Sequence, residues 1–289
     1  MKRIALLFLI MCTGLCAYAK HIEYTSEDSA RVVQLLKDAQ ELRGTENRVF
    51  YFGKKFLNLP YVAHTLELGD TEHLIVNLHE LDCTTFVETV VALALCDLQD
   101  KRTFDDFCDN LTRIRFRQGL MTDYTSRLHY FTWWAEDNEQ LGIVKDITPQ
   151  SAPWGAFTAI QTVNINYMSS HPMLYKQLKS HPAFVPTIKA YEQASNGKKF
   201  RYIPKQNLAW NQSSALGTVK DGDIVAMLTD NDGLDTRHIG IAFWQNGRLH
   251  LLHASSLYKK VLMSKETFHE YEMKQPKHTG IRVFRFVEN

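Results

Sequence analysis

Apolar positions recur with a helical period through the first two thirds of this 289-residue chain and with a strand period through the last third. Between Leu78 and Leu95, Phe86, Val90, Leu93 and Ala94 form one apolar stripe. Asp82 stands before it, where an N-cap carboxylate takes a free amide of the first turn. Ser29 to Leu42 reads as an amphipathic helix, with Val32, Val33, Leu35, Leu36 and Ala39 inward and Gly44 as its stop. Arg48 to Leu57 is a second short helix. Leu59-Pro60-Tyr61-Val62 leaves it extended, because proline pushes the preceding residue out of the helical region. Glu72 to Leu78 reads as a strand and Phe104 to Arg113 as a helix. Arg127 to Trp134 starts another helix, dense in aromatic side chains. Met173 to Leu178 and Val185 to Ala194 are short helices, and residues 142–165 carry no consistent period.

Phe200 to Ile203 opens the strand-rich part. Asp221-Gly222-Asp223 is a turn before Ile224–Leu228, an apolar run that fits a buried strand, and Ile281 to Val287 alternates as a last strand. Between them, Asn246-Gly247 separates two apolar runs, the strongest short signal for a hairpin. With those two residues as the turn, Gln245 faces Arg248 and His238 faces Ser255. His253 then shares a face with His238, one diagonal step away, and His250 points to the other face. Helices first and antiparallel strands after predict an α+β fold with a helix packed on a sheet.

Composition adds a compartment. Lys2-Arg3, an apolar run from Ile4 to Leu15 and Ala17-Tyr18-Ala19 have the form of a signal peptide over residues 1–19. The apolar run is too short to span a bilayer. The remaining residues 20–289 have the length of a single elaborated domain with no transmembrane segment. Export to the periplasm is the expected localisation, with lipid attachment at Cys12 or Cys16 disfavoured by the bulky Met11 and Leu15. Losing Lys2 and Arg3 from 33 basic residues leaves 31 against 32 acids, a net charge of −1. That balance gives no electrostatic grip on nucleic acid. Cys83, Cys96 and Cys108 remain, an odd number with at least one free thiol. Cys96 and Cys108 read as core fillers, with a bridge between them left open.

Cys83 has chemical surroundings. It opens the helix after Asp82, where the helix dipole and free N–H groups favour thiolate over thiol. Such a nucleophile needs a base, and the hairpin supplies two imidazoles on one face. One can take the thiol proton while the other binds its second nitrogen, the logic of a catalytic triad. Arg127, His129 and Tyr130 suit a cleft that binds a carboxylate or a sugar. The alternative is that His129 is a core histidine and Trp133 and Trp134 are packing.

These pieces resemble the NlpC/P60 superfamily of papain-like cysteine hydrolases: Asp82-Cys83 opening a helix, the Gly222–Val225 strand entry, His238-Ile239-Gly240-Ile241 and His253-Ala254-Ser255. Within it, the chain is most similar to the N-acetylmuramoyl-L-alanine amidase-like family. That closer likeness rests on Pro60-Tyr61-Val62 with Thr65-Leu66-Glu67, Asp82–Glu88, Arg127–Phe131 and His250–Ser256. The resemblance implies a nucleophile helix packed on an antiparallel sheet, Cys83 as nucleophile, His238 as base and His253 as the orienting residue. It places Tyr61 near the thiol as an oxyanion donor. The implied substrate is peptidoglycan or its muropeptide fragments, cut at the amide between N-acetylmuramic acid and L-alanine by a monomer without cofactor. One departure is His64, where a small residue, usually glycine, is expected.

Three other readings fit parts of the pattern. Cys83, His238 and His253 could form a zinc site, although the close-spaced ligand pairs typical of one are missing. The same triad could act as a γ-D-glutamyl endopeptidase on the stem peptide. A cell-wall fragment binder without catalysis would use the same cleft.

Overall fold

Short-range polar contacts set where the helices begin. A computed structural model describes residues 21–41, 46–148, 156–209 and 215–288. Thr25, Asp82, Thr103 and Thr267 each close a capping box that starts a helix, satisfying two backbone donors reciprocally. In chain order the elements are β1 (Ile22–Glu23), α1 (Ser26–Asp38), α2 (Arg48–Lys54), β2 (Leu74–Ile75), α3 (Cys83–Leu98) and α4 (Phe104–Arg115). There follow α5 (Phe131–Gln140), β3 (Val144–Asp146), β4 (Ala159–Thr162), α6 (Tyr167–Ser170), α7 (Lys176–Ser180) and α8 (Val185–Ser195). The last part holds β5 (Lys199–Pro204), β6 (Ile224–Thr229), β7 (Thr236–Gln245), β8 (Arg248–Ser255), β9 (Lys260–Met263), α9 (Phe268–Met273) and β10 (His278–Phe286). The result is the expected mixture of helices and an antiparallel sheet.

Seven strands run in the order β4-β5-β10-β6-β7-β8-β9, and β3 joins the same sheet through β10. Both turn residues of the β7–β8 hairpin have positive φ, 50° at Asn246 and 70° at Gly247. That conformation lets two residues reverse the chain. Gln245 pairs with Arg248 and Ile241 with Leu252, the register expected from the turn.

The sheet has a core on each face. Ile239, Ile241, Phe243, Leu252 and Ala254 join the larger core with α1 to α5. Ala242, Leu251, Val225, Met227 and Ile281 join a smaller one with Phe268 and Tyr271 of α9. Alternation therefore sets the His238 and His253 rings on the α9 face of the sheet. Gly240, opposite His253, leaves room for it: a Cβ there would stand 3.0 Å from His253 Cβ and 2.8 Å from Leu251 Cδ1.

Several local expectations change in context. Helix α3 is buried all round and not along one stripe, because it is wedged among α1, α2, α4 and the hairpin. Val33 is 43% exposed on the outer side of α1. The strand expected over Glu72 to Leu78 shrinks to two residues, paired in parallel with β1. Arg127 to Tyr130 stay outside the helix, which begins at Phe131. The region 142–165, which carries no period, supplies β3 and β4. Cys96 and Cys108 are not bridged by a disulfide. The signal-peptide reading of residues 1–19 and the Gly44 stop lie outside the described residues. No described helix is long and apolar enough to cross a membrane.

Candidate active site

Helix α3 starts at a wall of a cavity of about 540 Å³, and Cys83 and Thr84 line it together with His238 and Ile239. The Asp82 carboxylate accepts the N–H of Thr85 at 2.8 Å, and the Asp82 carbonyl accepts that of Phe86. Among the described residues this leaves the first amides of the helix, at Cys83 and Thr84, free of the cap. The backbone N–H of Ile239 and the Thr84 N–H and hydroxyl lie close enough to the Cys83 sulfur to favour its thiolate form. The sulfur therefore meets the hairpin at the residue next to His238.

The two histidines form a pair. His238 Nε2 lies 2.7 Å from His253 Nδ1, with the rings edge to face at 75°. His253 is wholly buried, and its Nε2 has no hydrogen-bond partner among the described residues. Burial, with His253 and His278 adding to it, holds His238 well below the usual imidazole value. Burial alone brings His253 down to about 4. Both rings are neutral at physiological pH.

The thiol does not follow the dipole expectation. Burial pushes Cys83 up to about 12, Asp82 adds to the rise, and the donors of Ile239 and Thr84 only offset part of it. A helix N-terminus is worth about 0.3–1 kcal/mol to an anion. Desolvation can shift a buried group by several pKa units, so it wins here. The resting site holds a thiol and a neutral imidazole.

Tyr61 sits beside this pair. Its N–H binds the Lys259 carbonyl at 3.0 Å, and Pro60 and Val62 bond with Leu81, so the segment is clamped just ahead of Asp82. Burial, then the nearby Cys83 and Asp82, push the Tyr61 hydroxyl up to about 12. It stays protonated and able to donate.

The expected cleft residues divide. His129 and Tyr130 line the cavity and Arg127 does not. His129 Nε2 binds the Tyr124 carbonyl at 2.7 Å, and burial holds the ring well below its usual value. The Tyr130 hydroxyl donates to Glu192 at 2.8 Å and accepts the Met168 N–H. Arg127 is buried, paired with Glu67 and with Glu72, and stacked over Tyr124. Its charge is spent inside the protein. His64 lines the mouth with φ at 65°, the left-handed region where glycine costs least, which is why a small residue is expected there.

Three site residues carried no reading in the sequence. Asp235 lines the cavity and caps α5 through the Thr132 N–H at 2.6 Å, from 103 positions away, with no local signature. Glu67, a motif residue only, lines it with one buried, unpartnered oxygen. Tyr271 packs on both histidines, at 5.3 Å from His253 and 6.4 Å from His238 between ring centroids. The Thr267-x-x-Glu270 box could have announced its helix. Among the described residues no group of three His, Cys, Asp or Glu side chains is set to hold a metal ion.

Comparison with known proteins agrees with this architecture. An N-acetylmuramoyl-L-alanine amidase from Bacteroides uniformis ATCC 8492 superposes with a TM-score of 0.76 at 42% identity, covering 83% of this chain and 97% of its own. A Bacteroides fragilis protein described as a candidate xylanase gives 0.75 at 43% identity, covering 82% and 100%. A Legionella pneumophila protein shares the fold at 0.66 and 21% identity, covering 90% and 97%. No curated protein matches the chain. The model of the N-acetylmuramoyl-L-alanine amidase-like family matches residues 51–281, most of the chain, and the chain belongs to that family.

Proposed function

We propose that the protein is an exported, monomeric cysteine amidase that cuts the bond between N-acetylmuramic acid and L-alanine in peptidoglycan or muropeptides, on a papain-like NlpC/P60 scaffold. The observation that carries this reading is the shared cavity: Cys83 and His238 line it together, and His238 Nε2 meets His253 Nδ1. His238 takes the thiol proton as the sulfur attacks the amide carbonyl, since both groups rest uncharged. The Cys83 N–H and the Tyr61 hydroxyl receive the oxyanion. His238 then protonates the departing amine, and water releases the thioester.

The xylanase description of one similar structure invites a glycosidase reading, which requires two carboxyl groups flanking the scissile bond. The acids of this cavity, Glu67 and Asp235, are engaged with Arg127 and with Thr132. Defined muropeptides incubated with the protein should yield a free sugar lactyl group and a peptide beginning with L-alanine, read by mass spectrometry. Cleavage within the stem peptide would transfer the same triad to γ-D-glutamyl endopeptidase chemistry, and binding without cleavage would leave a wall-fragment binder.

A further inference from the structure

The proton shared by the two histidines has two possible homes, and only one makes His238 a base. If it sits on His238 Nε2 and is donated to His253 Nδ1, His238 Nδ1 is bare and can take a proton from the thiol. His253 must then carry its own proton on Nε2. If it sits on His253 Nδ1, His238 carries its proton on Nδ1 and cannot accept one. His253 Nε2 has no hydrogen-bond partner among the described residues, in a wholly buried side chain. Left unpartnered, that nitrogen is penalised as a buried donor in one arrangement and as a buried acceptor in the other, so burial by itself selects neither. A neighbour that satisfies the nitrogen only as a donor would decide the choice.

Tyr271 is the group in position to do so. Its ring lies against His253 edge to face, with centroids 5.3 Å apart and planes at 80°. The negative face of an aromatic ring accepts an N–H donor. The ring is buried and held by α9, a short capped helix that packs on β8. We infer that Tyr271 is a positioning residue whose ring face accepts the His253 Nε2–H, selecting the tautomer pair that leaves His238 Nδ1 free to act as base. The inference rests on the triad reading above, yet its primary readout needs no turnover.

The test is nitrogen-15 NMR of the intact protein with labelled histidine, at a pH where both rings are neutral. The expected spectrum has His238 protonated at Nε2 and bare at Nδ1, and a His253 Nε2–H proton moved upfield by the tyrosine ring. A proton resident on His238 Nδ1 in the wild-type protein overturns the inference, whether or not any variant folds. Tyr271→Leu should invert or mix the tautomers and lower kcat about tenfold or more with KM little changed. Tyr271→Phe, which keeps the ring and loses only the hydroxyl, should restore both. Wild-type tautomers in Tyr271→Leu would also overturn it. Absence of amidase turnover in the wild-type protein would instead strike the proposed function and leave the tautomer result standing.

Discussion

Two buried polar regions lie a short way apart, and they handle burial in opposite ways. Behind the cavity, two deeply buried arginines have carboxylate partners: Arg115 meets Glu88 at 2.7 Å, and Arg127 is shared by Glu67 and Glu72. At the cavity, His253 is wholly buried and Cys83 and His238 are half-buried, with no opposite charge beside them, so all three rest neutral. Paired charges hold elements together and are unavailable to a ligand. Neutral groups without charge partners remain free to exchange protons. The contrast explains why Arg127, a plausible carboxylate binder by residue type, is a strut.

The largest effect expected separates chemistry from architecture. Cys83→Ala should lower amidase turnover by about 10⁴-fold or more, the scale seen when a triad nucleophile is removed. Its unfolding midpoint in denaturant should stay close to that of the parent, because a small side chain replaces a small one. Turnover near the parent level would remove Cys83 from the mechanism. On the other side of the contrast, Arg115→Ala leaves the Glu88 carboxylate buried without its partner. That should destabilise the fold by about 3–5 kcal/mol in urea titration. A loss under about 1 kcal/mol would mean that this pair is not the strut described.

A subtler effect concerns pH. His253 titrates near 6.5 in an unfolded chain and near 4 in the folded one. Between those values the unfolded state binds more protons. Stability is therefore full above pH 6.5 and falls as the pH drops toward 4, by about 3 kcal/mol from this residue. His253→Gln should flatten that part of the curve, measured as unfolding free energy at a series of pH values. An unchanged slope would show that the ring is not buried neutral.

Much of the site was readable because its signals are local. Asp82 before Cys83 announces a capped helix, and Asn246-Gly247 alone determines which hairpin residues face each other, which brings His238 and His253 together. What escaped reading depends on distant partners. Asp235 caps α5 from 103 positions away, and nothing near it in the chain says so. Arg127 looked available because its partners, Glu67 and Glu72, arrive from a separate loop. The ionisation of Cys83 was read from its helix and is decided by the protein packed around it. Strands β3 and β4 carry no period, because β3 is three residues long and β4 pairs only with β5.

Strand β10 is the last of the sheet in the chain, and it lies in the middle of it, bonded to β3, β5 and β6. On the ribosome the two halves of the sheet must wait for it, so a prematurely terminated product keeps its cysteine but lacks the centrepiece that unites the halves. Early release thus yields a chain without a finished scaffold, so strand order alone ties completion of the fold to completion of the chain.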